Sequence, residues 1–452
     1  MRSVSKIGKV LPYAVLVSGA LLPAALVIAL PEFYHHSDIG IQMVWMQQWN
    51  KGWREIYNTC SSCDYPLMGT FIAAGIPKLL SRIGVDNLAQ GFRICLAFVD
   101  GANVLLVFLL FRILKVRRAA LWAGVIGLSL SSWAGGAVWG NIDDVSHFLL
   151  LVILLWIVVS NLTGKIHLPL FLVVCSVLMS FLILTKHLNI FNLFALEFML
   201  MVNIFATRKR AVAAGAWLLQ VALLLVCIFG WDVPLTIDRP YVSHLQMIWG
   251  TPGRMGDFLS NNGFNLWMLL GRDMLSSSAV PLFPDSPVAV LRALTPFNAG
   301  VVLFLAAASS LAAAVAWRIG KRRTPGAPWL DRNSLLDLIA FLALINLAYN
   351  VTLPGTHERY LYSFYPLVIL AFLGLQDYDR RFSLPLVALL VGGANVYGVF
   401  VLGILTGDFA FSNDAHRVAA VFHAGLLLLV SAVFFRYLSA RRPPPVEGSG
   451  GR

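Results

Sequence analysis

Charge is what this chain has least of. Asp, Glu, Lys and Arg make up 12% of its 452 residues, about half of the roughly 25% that a soluble domain carries. With 58% hydrophobic residues and a mean hydropathy of +0.77, a soluble globular enzyme is excluded and the chain reads as an all-α, polytopic membrane protein. Cysteine is also sparse. Five residues are too few for a disulfide framework, and Cys95, Cys175 and Cys227 lie inside apolar runs. Cys60 and Cys63 form a lone C-S-S-C, two ligands short of a tetrahedral metal centre. In an oxidising compartment they would instead close a local disulfide beside Asp64. No internal repeat relates the two halves, and no polar stretch is long enough for a second soluble domain. The net charge of +12 is a topological signal in such a chain rather than a nucleic-acid footprint, because Lys and Arg collect in cytoplasmic loops.

What is present is a series of apolar runs, at about 10–30, 93–111, 119–138, 145–160, 168–185, 189–206, 211–231, 297–317, 334–353, 361–376, 384–404 and 418–436. Read as twelve spans, they place both termini on one side. The first run has a basic start but ends in Pro31-Glu-Phe-Tyr34, without a small-residue cleavage site, so it is expected to be retained rather than cut as a signal peptide. Twenty-two of the 34 basic residues then fall on the side of the termini, which predicts cytoplasmic N- and C-termini. The expected organisation is one membrane domain over 1–440 and a disordered Pro/Gly-rich cytoplasmic tail over 441–452. The first outside loop, 31–92, is long enough for interfacial helices, one over Ile39–Glu55. A second apolar segment over Pro66–Ile83 is open to an interfacial, re-entrant or spanning reading. A long outside loop covers 232–296.

Polar chemistry gathers on the outside ends. An ionisable cluster at the point where a span leaves the bilayer is costly and points to a site, the alternative being an ordinary wet interfacial loop with an aromatic belt. The first loop holds Glu32, His35, His36, Asp38 and Asp64 among aromatic residues (Tyr34, Trp45, Trp49, Trp53, Tyr57). Asp38 suits a general base and equally an N-cap for the following helix. Asp143-Asp144, after Trp139-Gly-Asn141, favours a helix start through the dipole, and paired carboxylates there would also bind sugar hydroxyls or, with further oxygen ligands, Mg²⁺. Lys186-His187 and His357-Glu358-Arg359 are cationic candidates for a phosphate, each also readable as a snorkelling anchor. Among Trp45, Trp49, Trp53, Trp231, Trp249 and Trp267, most would be belt residues, with one or two free to stack on a sugar ring.

The residues His36-Ser-Asp38, Ile56-Tyr57 followed by Asp64-Tyr65-Pro66, Trp139-Gly-Asn-Ile-Asp143, Phe264-Asn-Leu-Trp267 and His357-Glu-Arg-Tyr360 resemble, in order along the chain, the GT-C glycosyltransferases that use polyprenyl-phosphate-linked sugars. The likeness is to bacterial members related to the second mannosyltransferase of GPI-anchor assembly and to mycobacterial polyprenyl-phosphomannose-dependent mannosyltransferases. Two departures stand out: the usual Trp-Gly-Gln-x-Asp reads Trp-Gly-Asn-Ile-Asp, and Tyr-Pro-Pro reads Tyr-Pro-Leu. The resemblance implies a GT-C-like fold and inverting transfer of a sugar, mannose first, from a lipid phosphate to a glycolipid or glycan acceptor. The reaction would take place at the outer face of a bacterial plasma membrane. It implies Asp38 as base, and His357 and Arg359 near the phosphate, joined by Lys186 and His187. His36, Asp64, Tyr65, Asn141, Asp143, Asp144, Trp267, Glu358 and Tyr360 are then expected around the substrates. No metal is required on this reading, with Mg²⁺ at Asp143 or Asp144 left open. A twelve-span secondary transporter and a lipid-linked glycan ligase or polymerase are the rival readings.

Overall fold

In a lipid phase every backbone N–H and C=O must be paired within the protein, and a continuous apolar run does this as a helix. The computed structural model describes residues 6–52, 65–236, 257–260, 263–270, 273, 276–322, 329–376, 379–406 and 413–440, and over these the chain is all-helical. Among the described residues the sole β-feature is a bridge between Phe258 and Ser277.

In order the helices are α1 (Lys6–Ala29), α2 (His36–Lys51), α3 (Leu67–Arg82), α4 (Leu88–Ile113), α5 (Ala119–Leu128), α6 (Asp143–Thr163) and α7 (Leu168–Thr185). There follow α8 (Ile190–Thr207), α9 (Arg210–Thr236), α10 (Pro296–Arg322), α11 (Arg332–Thr352), α12 (Phe364–Leu375), α13 (Leu384–Thr406) and α14 (Asn413–Ser439). Ten of them are long and apolar enough to cross a membrane: α1, α4, α6 to α11, α13 and α14.

Among the described residues ten of the twelve expected runs are helices of spanning length, and the other two are shorter apolar helices. The run 119–138 is helical only over α5, and 361–376 only over α12. At 1.5 Å per residue, helices of 10 and 12 residues reach about 15–18 Å, roughly half of a ~30 Å hydrocarbon core. The adjoining stretches 129–142 and 353–363 are largely buried and hold only the 3-10 turns Leu130–Ser132 and Glu358–Leu361. Irregular backbone survives at membrane depth only inside protein or along a cavity, and both loops belong to the site described below. Absence of charge alone does not separate such a buried loop from a span, and Trp133-Ala-Gly-Gly-Ala-Val-Trp139 carries none.

The centre of the bundle is α11, buried at every residue from Ser334 to Thr352. Asp331 caps it by accepting from Ser334 N at 2.7 Å, and α8, α10, α12 and α14 pack around it. On the other side, α1 lies against α4 and α5. A Cβ on Gly19 would sit 2.7 Å from Gly124 O, and one on Gly124 would sit 2.5 Å from Val15 C, so these helices touch backbone to backbone, as small residues allow in membranes. The first-loop helix expected over Ile39–Glu55 is α2, one residue-turn earlier at its start. The segment 66–83 forms α3, a 16-residue helix too short for a span, packed on α2, α4 and α7.

One end of the bundle is basic and holds an ion pair, Arg322 on Asp337 at 2.8 Å, and arginine hydrogen bonds to backbone: Arg318 Nη1 donates to the Tyr437 and Leu438 carbonyls, and Arg332 Nη2 to Gly374 O at 2.9 Å. The loops 30–35, 129–142, 185–189 and 353–363 meet at the other end.

Candidate active site

The site is built from two loops held by one arginine. Arg93, fully buried on α4, donates from Nη1 to Pro31 O at 2.7 Å, from Nη2 to Phe33 O at 2.8 Å and from Nε to Ala137 O at 3.2 Å. It thereby ties the chain leaving α1 to the loop after α5. Gly140, at φ +88°, makes the turn that no residue with a Cβ would make cheaply, and its carbonyl accepts from Gln42 Nε2 of α2 at 3.0 Å. These bonds fix α2 over the 129–142 loop.

Asp38, in the first turn of α2, faces that loop. Its Oδ2 accepts from Trp139 Nε1 at 2.7 Å, Asn141 Nδ2 at 3.1 Å and Arg359 Nη1 at 2.9 Å. Asp38 and Arg359 are 321 positions apart in sequence. The guanidinium lies over the Trp139 ring, 4.8 Å from its centre, and its Nε stands 3.4 Å from Asp143 Oδ2. Asp143 Oδ1 accepts from Lys186 Nζ, and Lys186 in turn lies over the rings of Tyr65 and Tyr360, at 5.6 and 5.4 Å. Two carboxylates and two cations thus alternate along one row: Asp38, Arg359, Asp143, Lys186. Burial opposes the charge of Asp38, but Arg359 leads the groups that outweigh it and hold the carboxyl well below the usual range. Burial also works against the Lys186 ammonium; Asp143 and Tyr65 overcome it and raise the group above its ordinary value. Burial pushes the Tyr65 hydroxyl up.

Beside this row is a polar cavity of about 50 Å³, lined by Asp143, Lys186 and Arg359 and by Ser146, Asn189, Asn192 and Asn346. The amides form a chain: Asn346 Nδ2 donates to Asn192 Oδ1 at 2.7 Å, Asn192 to Asn189 Oδ1 at 3.2 Å, and Asn189 to Ser146 Oγ at 3.1 Å. Leu188, Phe191 and Tyr349 line both this cavity and a second one of about 550 Å³, walled by α8, α10 and α11 with Phe194, Phe198, Phe304, Ala308 and Phe341. That second cavity is almost wholly apolar. Phe191 and Tyr349 stack at 3.8 Å between the two.

No protein-family model matches the chain, and no curated protein matches it. Among solved structures, that of ArnT from Cupriavidus metallidurans bound to undecaprenyl phosphate is similar at a TM-score of 0.44 and 14% identity, over 96% of this chain and 78% of that one. A likeness at that level assigns neither activity nor substrate, and the site has to be argued from its own residues.

Of the residues singled out in the sequence, Asp38, Arg359, Lys186, Asn141, Asp143, Tyr65 and Tyr360 come together. Five do not join them. His36 is exposed and sits against Tyr34, ring centres 4.3 Å apart. Trp267 is built into the bundle, its Nε1 donating to Thr352 O at 2.6 Å. His187 is buried in the turn after α7. His357 packs edge-on against Tyr360, ring centres 5.2 Å apart, one shell out from Arg359. Asp144 turns away from Asp143 into a separate buried set: Asn103 Nδ2 donates to its backbone oxygen at 3.1 Å. In that set Asp100 accepts from Tyr362 Oη at 2.6 Å and from Ala137 N at 3.1 Å. Asp143 and Asp144 therefore form no joint oxygen cradle for Mg²⁺, and both Asp143 oxygens face cations. Asp64, Cys60 and Cys63 lie outside the described residues, as does the Glu358 side chain. The residues that the motifs did not flag are Arg93, Asp100 and His35. The first two were visible as charged groups inside an apolar run, which is itself a signal.

Proposed function

We propose that the protein is an inverting membrane glycosyltransferase that moves a sugar from a polyprenyl-phosphate donor to a lipid or glycan acceptor. The observation that carries this reading is the adjacency of the two cavities: an apolar trough among α8, α10 and α11 shares Leu188, Phe191 and Tyr349 with a polar pocket that holds Lys186 and Arg359. A molecule that is isoprenoid at one end and phosphorylated sugar at the other matches that arrangement. The isoprenoid lies in the trough, the phosphate meets Lys186 and Arg359, and the amides of Asn189, Asn192 and Asn346 face the sugar hydroxyls.

Asp38 stands on the far side of Arg359 from the trough, at the level of the first-loop helices, where an acceptor hydroxyl would enter. It accepts that proton as the hydroxyl oxygen attacks the anomeric carbon and the lipid phosphate leaves from the opposite face. A phosphodiester becomes a phosphomonoester as the bond breaks, and Arg359 and Lys186 are already in place for the added charge. Two fixed cations supply what a metal ion would, so transfer on this reading needs none. Mannose is the sugar favoured by the sequence motifs. The basic residues at the opposite end of the bundle support a cytoplasmic face there and, on this reading, a site at the outer leaflet.

The test is transfer by purified protein from a radiolabelled polyprenyl-phosphate sugar, with Asp38→Asn beside the wild type. The variant is expected to lose about 10²-fold or more in kcat while keeping a single cooperative unfolding transition. Undiminished turnover in a folded Asp38→Asn protein would dispose of the base assignment.

A further inference from the structure

Asp38 is placed to take a proton but not to keep one. The three donors on Oδ2, from Trp139, Asn141 and Arg359, all favour the ionised carboxylate. A carboxylate so strongly held in its charged form gives up a captured proton at once, and a relay is productive only if a second acceptor is within reach. Oδ1 carries none of those three bonds. His35 Nδ1 lies 3.4 Å from it.

The imidazole is held in that position rather than merely being near. It stacks on Trp139 with ring centres 4.7 Å apart and planes 21° from parallel. Its own backbone N–H donates to Trp139 O at 3.1 Å, and Ser37 Oγ is 3.1 Å from Nδ1. As the residue before the first turn of α2, His35 is extended, at φ −80° and ψ 97°, which turns it back toward the loop while His36 points out. The same indole therefore orients both partners: its N–H binds Asp38 and its face carries His35. The His35 side chain is 31% exposed against 21% for Asp38, so of the two groups the imidazole has the better path to water.

We propose that His35 is the terminal proton acceptor of the transfer reaction. This rests on the glycosyltransferase reading. As the acceptor oxygen bonds to the anomeric carbon, the bond from that carbon to the phosphate oxygen breaks and its electron pair leaves with the phosphate. The hydroxyl proton passes to Asp38 Oδ1 and on to His35 Nδ1, leaving an imidazolium beside the restored carboxylate, and from there to water. No oxidant, reductant or further reactant enters.

The experiment compares wild type, His35→Ala and His35→Gln as purified full-length protein in the radiolabelled transfer assay, with and without added imidazole. A relay predicts that both variants lose about 10²-fold in kcat with donor KM within about twofold. It also predicts that imidazole restores much of the His35→Ala rate and none of the Asp38→Asn rate. Glutamine keeps a polar side chain against Trp139 and Asp38 but takes no proton, so His35→Gln decides the matter if the alanine variant fails to fold. Wild-type kcat in His35→Gln, or a slow His35→Ala that imidazole leaves slow, overturns the relay while active wild-type protein keeps the parent reading. A wild type that transfers no sugar overturns the parent reading itself.

Discussion

Replacing Arg359 with lysine keeps the charge and removes the fork. The guanidinium now serves two carboxylates on different segments, Asp38 at 2.9 Å through Nη1 and Asp143 at 3.4 Å through Nε, while its face covers Trp139. A lysine ammonium is a point charge on a thinner stem and meets one carboxylate at a time. A charge-assisted hydrogen bond is worth about 1.5–3 kcal/mol, and a desolvated cation–π contact about 2 kcal/mol. Losing one of each removes about 3.5–5 kcal/mol, which at 1.36 kcal/mol per decade is roughly a 400- to 5,000-fold loss in kcat/KM. The assay is steady-state transfer by purified wild type, Arg359→Lys and Arg359→Ala, with thermal unfolding in the same detergent to confirm that each is folded. Arg359→Ala should be worse than Arg359→Lys, because it also leaves Asp38 and Asp143 without that cation. An Arg359→Lys enzyme within threefold of wild type would refute the bridging role, and equal rates for the two variants would refute any role for the charge.

Three further outcomes follow from the geometry. Ala308→Trp, in the wall of the apolar trough, should raise KM for a long polyprenyl donor and leave a short-chain donor nearly unaffected; equal effects on both would separate the trough from lipid binding. Gly69→Ala should lower the unfolding temperature, since its Cβ would fall 2.0 Å from Thr185 O, whereas Gly75→Ala, with only the Trp49 ring at 3.6 Å, should be tolerated. Overpacking of this kind costs about 1–3 kcal/mol, and matched melting curves for the two variants would contradict the close approach of α3 to α7. The Asp38 carboxyl is held below its ordinary value, so the stability it contributes is present above the unfolded carboxylate pKa of about 3.9 and is lost as pH falls below it. The gap in stability between wild type and Asp38→Asn should therefore be constant from neutral pH down to about pH 5 and shrink in stronger acid; a gap that closes near neutrality would show that the ion pair does not hold the carboxylate.

The polar residues that sit where polarity is costly were the legible part of the site. Asp38, Asp143, Lys186 and Arg359 were marked out in sequence as charges near the ends of apolar runs, whereas Asn141, Tyr65 and Tyr360 were marked by the motif resemblance. Their convergence is a tertiary fact that no local pattern contains. The choice between His35 and His36 turned on where α2 begins, a matter of one residue. The two half-length helices were hidden because a glycine-rich loop buried in protein can be as free of charge as a span. Trp267 looked like a belt or stacking residue and is instead a bracket between the 263–270 segment and the end of α11. Asp144 looked like the twin of Asp143, but successive residues at a helix start point about 100° apart, and the pair divides between two networks.

The row Asp38, Arg359, Asp143, Lys186 also bears on how the chain matures. Its members come from the beginning, middle and end of translation, so the anions wait without their guanidinium until the segment carrying Arg359 arrives. A chain stalled or truncated before that point would carry uncompensated acids near the bilayer surface and a Trp139 loop with one face uncovered. Such a species is catalytically silent and chemically conspicuous at once, a natural target for the proteases that survey newly inserted proteins.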